Sequence, residues 1–171
     1  MSMKRTVLTW GLISGGVSAV LLLATIPFAD AIGFDKGAIL GYTTMVASAL
    51  FVYFGVRSYR ENVNGGKLTF GRGFQVGLLI AVISCLCYVA AWELSYFKLM
   101  PGFADKYAAY AIAKAKAAGA SPAKLTEVAK QMQDLRTLYD NPLLNAAITF
   151  VEPFPIFLGA TIVSAAALRR R

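Results

Sequence analysis

Four long apolar stretches, each fenced by charged residues, constrain this chain more than anything else in it. Val7 to Phe28 runs 22 residues without a charge, and Ala38 to Val56 runs 19. Phe74 to Phe97 is a third block, closing on Trp92, Tyr96 and Phe97, and Leu143 to Leu168 is a fourth, ending in Arg169-Arg170-Arg171. As helix, 22 residues span about 33 Å, enough for a hydrocarbon layer of about 30 Å. Aromatic rings at the end of the third block suit a headgroup belt. The sequence therefore predicts an all-α membrane protein with four transmembrane helices, over 7–28, 38–56, 74–97 and 143–168. Residues 1–171 then form a single integral membrane domain, with the lipid bilayer as its first partner.

Composition narrows the function classes. The chain is 57% hydrophobic and only 15% charged, where a water-soluble domain carries about a quarter charged residues. Its net charge of +8 comes from basic residues at the block ends, which topology explains, so no nucleic acid partner is expected. There is no histidine, which removes the commonest general base and metal ligand. Cys85 and Cys87 lie two apart in an apolar run and point to different faces of a helix, so no metal and no cofactor is expected. With no serine or cysteine beside an evident base, the chain does not read as an enzyme.

The connections are informative. Ala29-Asp30-Ala31 has the small-x-small form of a signal-peptidase site after a basic start. The apolar run before it exceeds the usual h-region, and an uncleaved first helix is expected. Asp30 to Gly37 reads as a short polar turn, and Gly65-Gly66 as another turn in a basic connector. Between blocks three and four, residues 101–140 read as an αα-hairpin. Phe103, Tyr107 and Tyr110 recur at helical spacing, Gly119 is a stop, and Ser121-Pro122 is a cap with a first-turn proline. Leu125, Val128, Met132, Leu135 and Tyr139 then form one apolar stripe. Glycines at close-contact spacing, Gly11 with Gly15, Gly41, Gly77 and Gly159, are the predicted helix-packing positions. Basic residues are densest around the termini and the 57–72 connector, so both termini are expected in the cytoplasm and the hairpin outside it.

Within the fourth block stands Glu152, followed by Pro153 and Pro155. Counted back from Arg169 it lies about 25 Å above the inner boundary, in the outer leaflet. A charge there is costly and marks a candidate site. Asn145, Thr149, Glu152 and Gly159 fall on one stripe, expected to face the bundle. Glu93 sits close to the outer interface, and Thr25, Tyr42-Thr43-Thr44 and Tyr96 reach a similar height. The predicted intramembrane polar site is thus Glu152, Glu93, Thr149, Asn145 and Tyr42. Glu152 serves either as a structural hydrogen-bonding carboxyl or in a proton-, ion- or ligand-linked role. Glu93 serves either as a solvated interfacial carboxylate or in such a role. The two could share a proton if they meet, which spacing alone does not decide. The prolines free the carbonyls of Thr149 and Val151, so a kink is expected beside Glu152.

Several motifs recur here in a fixed order. Gly41-Tyr42 and Met45 open the second block, with Tyr59-Arg60 after it. Gly65-Gly66-Lys67-Leu68-Thr69-Phe70 leads to Phe74 and Gly77. Gly119-Ala120-Ser121 and Tyr139-x-Asn141-Pro142 mark the insert, and Glu152-x-x-Pro155 opens the final run. In this order and spacing, from about Met3 to Arg170, the chain resembles the bacterial membrane proteins of domain of unknown function family 4199. The resemblance implies a four-helix inner-membrane protein and no catalytic residues; Pro153 departs from the family's commoner pattern. The leading functional expectation is a non-enzymatic accessory or interaction protein, with a membrane-protein partner or a homo-oligomer in view. The alternative is a small oligomeric transporter or channel that uses Glu152 as its protonatable site.

Overall fold

The computed structural model describes residues 2–170 and is helical throughout, with no β-strand among the described residues. Arg171, counted in the C-terminal basic cluster, lies outside them. Seven α-helices follow in order: α1 Met3–Thr25, α2 Ala29–Asn62, α3 Phe70–Leu94, α4 Phe103–Ala117, α5 Pro122–Tyr139, α6 Pro142–Val151 and α7 Phe154–Ala167. A 3-10 turn at Ile26–Phe28 joins α1 to α2, and a π-helical turn at Ser95–Leu99 extends α3.

The helix starts follow local chemistry. Ser2, Thr69 and Ser121 each accept a backbone N–H three residues on, from Arg5, Arg72 and Lys124. Asn141 accepts from both Leu143 and Leu144, and Pro122 and Pro142 occupy first-turn positions where a missing N–H costs nothing. Gly119, at φ +79°, ends α4 as its composition predicts. The polar turn expected over Asp30 to Gly37 is helical instead, with a single break at Gly33 (φ 72°, ψ 167°). A backbone that only glycine tolerates marks that break, and Asp30 in the first turn of α2 favours the helix start.

Three helical stretches are long and apolar enough to cross a membrane: Met3–Asn62, Phe70–Leu99 and Pro142–Ala167. The first is not one straight rod. Ser14 Oγ donates to the Ser48 carbonyl at 2.8 Å, and the Trp10 ring stacks on Phe54 at 6.2 Å, so α1 and α2 run antiparallel. The third stretch is broken at Glu152-Pro153 into α6 and α7, where the two prolines withhold their donors. The Ile156 and Phe157 amides both turn to the Pro153 carbonyl, at 3.1 Å each.

Helix α3 is the central strut, touching α1 along one side, α7 and α6 along another, and α2 between. The contacts are close because glycine lies at the crossings. A Cβ on Gly11 would sit 2.8 Å from Ile83, one on Gly15 2.6 Å from Cys87, and one on Gly77 2.8 Å from Thr161. Gly55, which no spacing rule singled out, is the fourth such position: a Cβ there would lie 2.4 Å from Ile80 and 2.9 Å from Trp10. Gly41 and Gly159 have nothing within 4 Å, so they are not packing positions within this chain.

Hydroxyls fill much of the interior. Thr6, Ser14, Ser48, Ser84 and Thr161 have no exposed surface, while Leu143 is 79% and Ile39 69% exposed. Small polar groups inside and bare aliphatic groups outside suit hydrocarbon as the solvent, where van der Waals contact and hydrogen bonds join helices. At the end that carries Lys4, Arg5, Arg57, Lys67 and Arg72, the chain is stitched together. Leu68 and Arg170 exchange backbone hydrogen bonds of 2.7 and 2.8 Å, and the Arg60 guanidinium donates to the Leu168 carbonyl at 3.5 Å.

Candidate functional site

At the opposite end lies a cavity of about 1060 Å³. Its walls come from the α1–α2 turn, the upper part of α3 and the facing sides of α4 and α5, with Glu152 reaching in from the α6–α7 break. Helices α4 and α5 pack on each other as a hairpin. On α5 the stripe Leu125, Val128, Met132, Leu135 and Tyr139 is half-buried, as its spacing predicts, and the residues between are exposed.

The hairpin is tied to the α1–α2 turn by aromatic and ionic contacts. Phe34 sits among Phe103, Tyr107 and Tyr110 with ring centroids 5.0–5.7 Å away. Lys106 pairs with Asp30 at 3.1 Å, and Lys114 with Asp35 at 2.6 Å. Inside the hairpin Arg136 pairs with Asp105 and, at 3.5 Å, with Asp140, whose carboxylate also accepts from the Tyr96 hydroxyl at 3.1 Å. The Lys114 hydrogen bond holds the Asp35 carboxyl below its ordinary value, helped by Tyr110. A carboxyl lowered in the folded state contributes above the ordinary aspartate range and loses that contribution as pH falls through the lowered value. The tie is therefore intact at neutral pH and released in acid.

The predicted polar site divides in two. Asn145 and Thr149 are buried between α6 and α3, away from the cavity. Asn145 Oδ1 accepts from the Trp92 indole at 3.0 Å and from the Thr149 hydroxyl at 3.1 Å, while its Nδ2 donates to the Tyr139 carbonyl at 3.0 Å. Every polar atom of the Asn145 amide that reaches inward thus has a partner. This is a structural knot that fastens the end of α5 and the start of α6 onto α3.

Glu152 and Tyr42 belong to the cavity. Glu152 is exposed into it and has neither a hydrogen-bond partner nor an ion pair among the described residues. The phenols Tyr42, Tyr88 and Tyr139 line the same cavity, and the Glu152 charge reaches Tyr88 and Tyr139. Burial, then the Glu152 charge, raises the Tyr139 phenol above its ordinary value, so it stays protonated. Glu93 is elsewhere. It does not line the cavity, and its Oε1 is buried without a hydrogen-bond partner. The two carboxyls share no hydrogen bond, and only Glu152 lines the cavity. Gly159, expected on the same stripe as Glu152, faces open space. Thr25, Thr43 and Thr44 each return their hydroxyl to a carbonyl of their own helix, at 2.7–2.8 Å, rather than joining a shared layer.

Sequence reasoning missed Phe34 and Tyr88 as wall residues. The signal for each was its isolation: Phe34 is the one ring in a polar turn, and Tyr88 the one phenol in the third block before its closing aromatic belt. Among the described residues no three His, Cys, Asp or Glu side chains gather to hold a metal ion. What the arrangement offers chemically is a roomy aromatic chamber with one unpaired acid in its wall.

No curated protein matches the chain, and no solved structure matches it. Residues 9–170 do match a family, that described as Protein of unknown function (DUF4199). With that match covering nearly its whole length, the chain belongs to this family.

Proposed function

We propose that this is a non-enzymatic accessory protein of the bacterial inner membrane, which spans the bilayer four times and holds a ligand or partner segment in the chamber under its hairpin. The observation that carries the reading is the chamber itself, enclosed by the α1–α2 turn, α3 and the hairpin. A hairpin that turns its apolar stripe inward and ties itself to the bundle by Lys106–Asp30 and Lys114–Asp35 is built as a cover. In this reading α1 and α2 are separate spans, both termini lie in the cytoplasm with the basic stitched end, and the hairpin lies in the periplasm. Support for an uncleaved α1 comes from Gly11 and Gly15, whose contacts with α3 would be lost with it.

Topology is tested with single cysteines. In a background lacking Cys85 and Cys87, Ser2→Cys and Ser121→Cys are labelled in intact cells with a membrane-impermeant maleimide. Position 121 is expected to react and position 2 only after lysis; the reverse pattern overturns the orientation.

A second reading is favoured by one observation, the unpaired Glu152 in the chamber wall. It is a small transporter or channel in which that carboxyl loads and releases a proton or cation. Four helices enclose little volume, so the pathway would lie at a homo-oligomer interface, where the open surface at Gly159 permits close approach. Proton-coupled uptake into proteoliposomes is expected to fall at least tenfold in Glu152→Gln. Flux that survives the substitution unchanged rules the reading out.

A further inference from the structure

We propose that the chamber takes an organic cation, an ammonium or phosphonium centre carried on apolar groups, with Glu152 as counter-charge and Tyr42, Tyr88, Trp92 and Tyr139 as aromatic wall. The inference rests on the reading of the chamber as a binding space and adds the chemistry of its occupant.

The charges lining the chamber can be settled one by one. Asp30, Asp35, Lys36, Lys106, Arg136 and Glu152 are its ionisable acids and bases. Lys106 is neutralised by Asp30, Asp35 by Lys114, and Arg136 by Asp105 and Asp140. Two charges are left. Lys36 belongs to the α1–α2 turn and has no acid within 4 Å among the described residues, so it does not serve Glu152. Glu152 stands at the α6–α7 break and lines the chamber together with Tyr42, Tyr88 and Tyr139. A carboxylate in an aromatic wall with no cation paired to it is open to an arriving one.

The walls select what kind of cation. Nine of the 33 lining residues are aromatic, against 12% for the whole chain. Ring faces carry negative potential and attract a diffuse cation within about 6 Å, most strongly when both are desolvated. A bare inorganic ion would find one carboxylate where it needs several oxygen ligands, and no acidic cluster supplies the rest. An anion meets Glu152 unfavourably, and a neutral apolar molecule leaves it unpaired. A large, weakly hydrated cation satisfies both the acid and the rings.

The test uses the full chain in a neutral detergent. The chain has two tryptophans, so Trp10→Phe leaves Trp92, in the chamber wall, as the sole fluorophore. Tetraphenylphosphonium and tetraphenylborate share shape and differ in sign, and triphenylphosphine oxide is a neutral comparator. Binding is read from Trp92 emission and from equilibrium dialysis. The phosphonium is expected to bind at least tenfold more tightly than the borate. Glu152→Gln is expected to abolish that preference, Glu152→Asp to retain it, and Glu93→Gln, outside the chamber, to leave it unchanged.

Equal binding of both signs by the parent protein, or an unchanged preference in Glu152→Gln, overturns the inference while leaving the chamber as a binding space. No binding of any of the three overturns both. Should Glu152→Gln fail to elute as a single species, the sign preference of the parent and of Glu152→Asp decides. Nanodiscs separate two sources of the same chemistry. If phosphatidylethanolamine, relative to phosphatidylglycerol, weakens phosphonium binding in the parent but not in Glu152→Gln, the occupant is a lipid ammonium. If the two lipids are equivalent, it is a soluble cation.

Discussion

Gly15→Leu is expected to lower stability by about 1–3 kcal/mol, the usual cost of forcing extra carbons into a filled interior. Gly16→Leu, one residue away, is expected to cost nothing. At Gly15 the first added carbon already lies 2.6 Å from Cys87 Cβ and 3.1 Å from the Ser84 Cα. The second neighbour is backbone, so no rotamer change relieves the contact, and α1 has to move away from α3. That movement also strains the Ser84 hydroxyl's reach of 3.4 Å to the Gly11 carbonyl. Gly16 has open space around it, and there leucine brings only its better helix propensity, about 0.8–1.0 kcal/mol over glycine. Both substitutions add the same side chain to the same helix, so the contrast isolates packing from propensity. Thermal unfolding in detergent, followed by circular dichroism, is the measurement. Equal melting temperatures for the two variants would sink the account of the α1–α3 crossing.

Asn145→Ala is expected to cost about 2 kcal/mol, because two groups lose their only partner. The Trp92 indole N–H and the Tyr139 carbonyl both depend on this amide, at 3.0 Å each. The Thr149 hydroxyl can turn to the carbonyl of its own preceding turn, so Thr149→Val is expected to cost less than about 1 kcal/mol. A double-mutant cycle with Trp92→Phe separates the shared bond from the rest. The two substitutions together should cost less than the sum of each alone. Strict additivity would mean that the Trp92–Asn145 bond contributes nothing and that the knot is only steric. The same variant loosens the joint between α5 and α6, so the hairpin end nearest the chamber should lose hydrogen-exchange protection first.

These residues also show what could and could not be read from the chain alone. Segment length and uncharged runs announce helices of membrane length, because nothing but a helix satisfies so much backbone in hydrocarbon. The stripe on α5 and the Ser121-Pro122 start were legible because caps and periodicity are local. Glycine contacts were not. Gly11, Gly15 and Gly77 meet another helix while Gly41 and Gly159 meet none, and the difference lies in the neighbour rather than in the spacing. The carboxyls show the same limit. Height along two helices can be counted from sequence, and it put Glu93 and Glu152 at nearly the same level. Rotation about each helix axis decides whether they face each other, and they do not. Asn145 was grouped with Glu152 by the same stripe argument, yet the amide is buried against α3 while the carboxyl three residues beyond Thr149 lines the chamber. Asp30 to Gly37 looked like a loop because it is polar. It is helix on both sides of Gly33, where the backbone leaves helical geometry at φ 72° and ψ 167°.

The stitch between Leu68 and Arg170 has a consequence in time. Its two residues are 102 apart (170 − 68), so Leu68 leaves the ribosome long before its partner exists. At about 5–20 residues per second the interval is roughly 5–20 s. The antiparallel pair of α1 and α2 can assemble during that wait, as can the crossing of α1 on α3. The connector must stay open until Arg170 arrives. The basic face therefore closes only once Arg170 has joined Leu68.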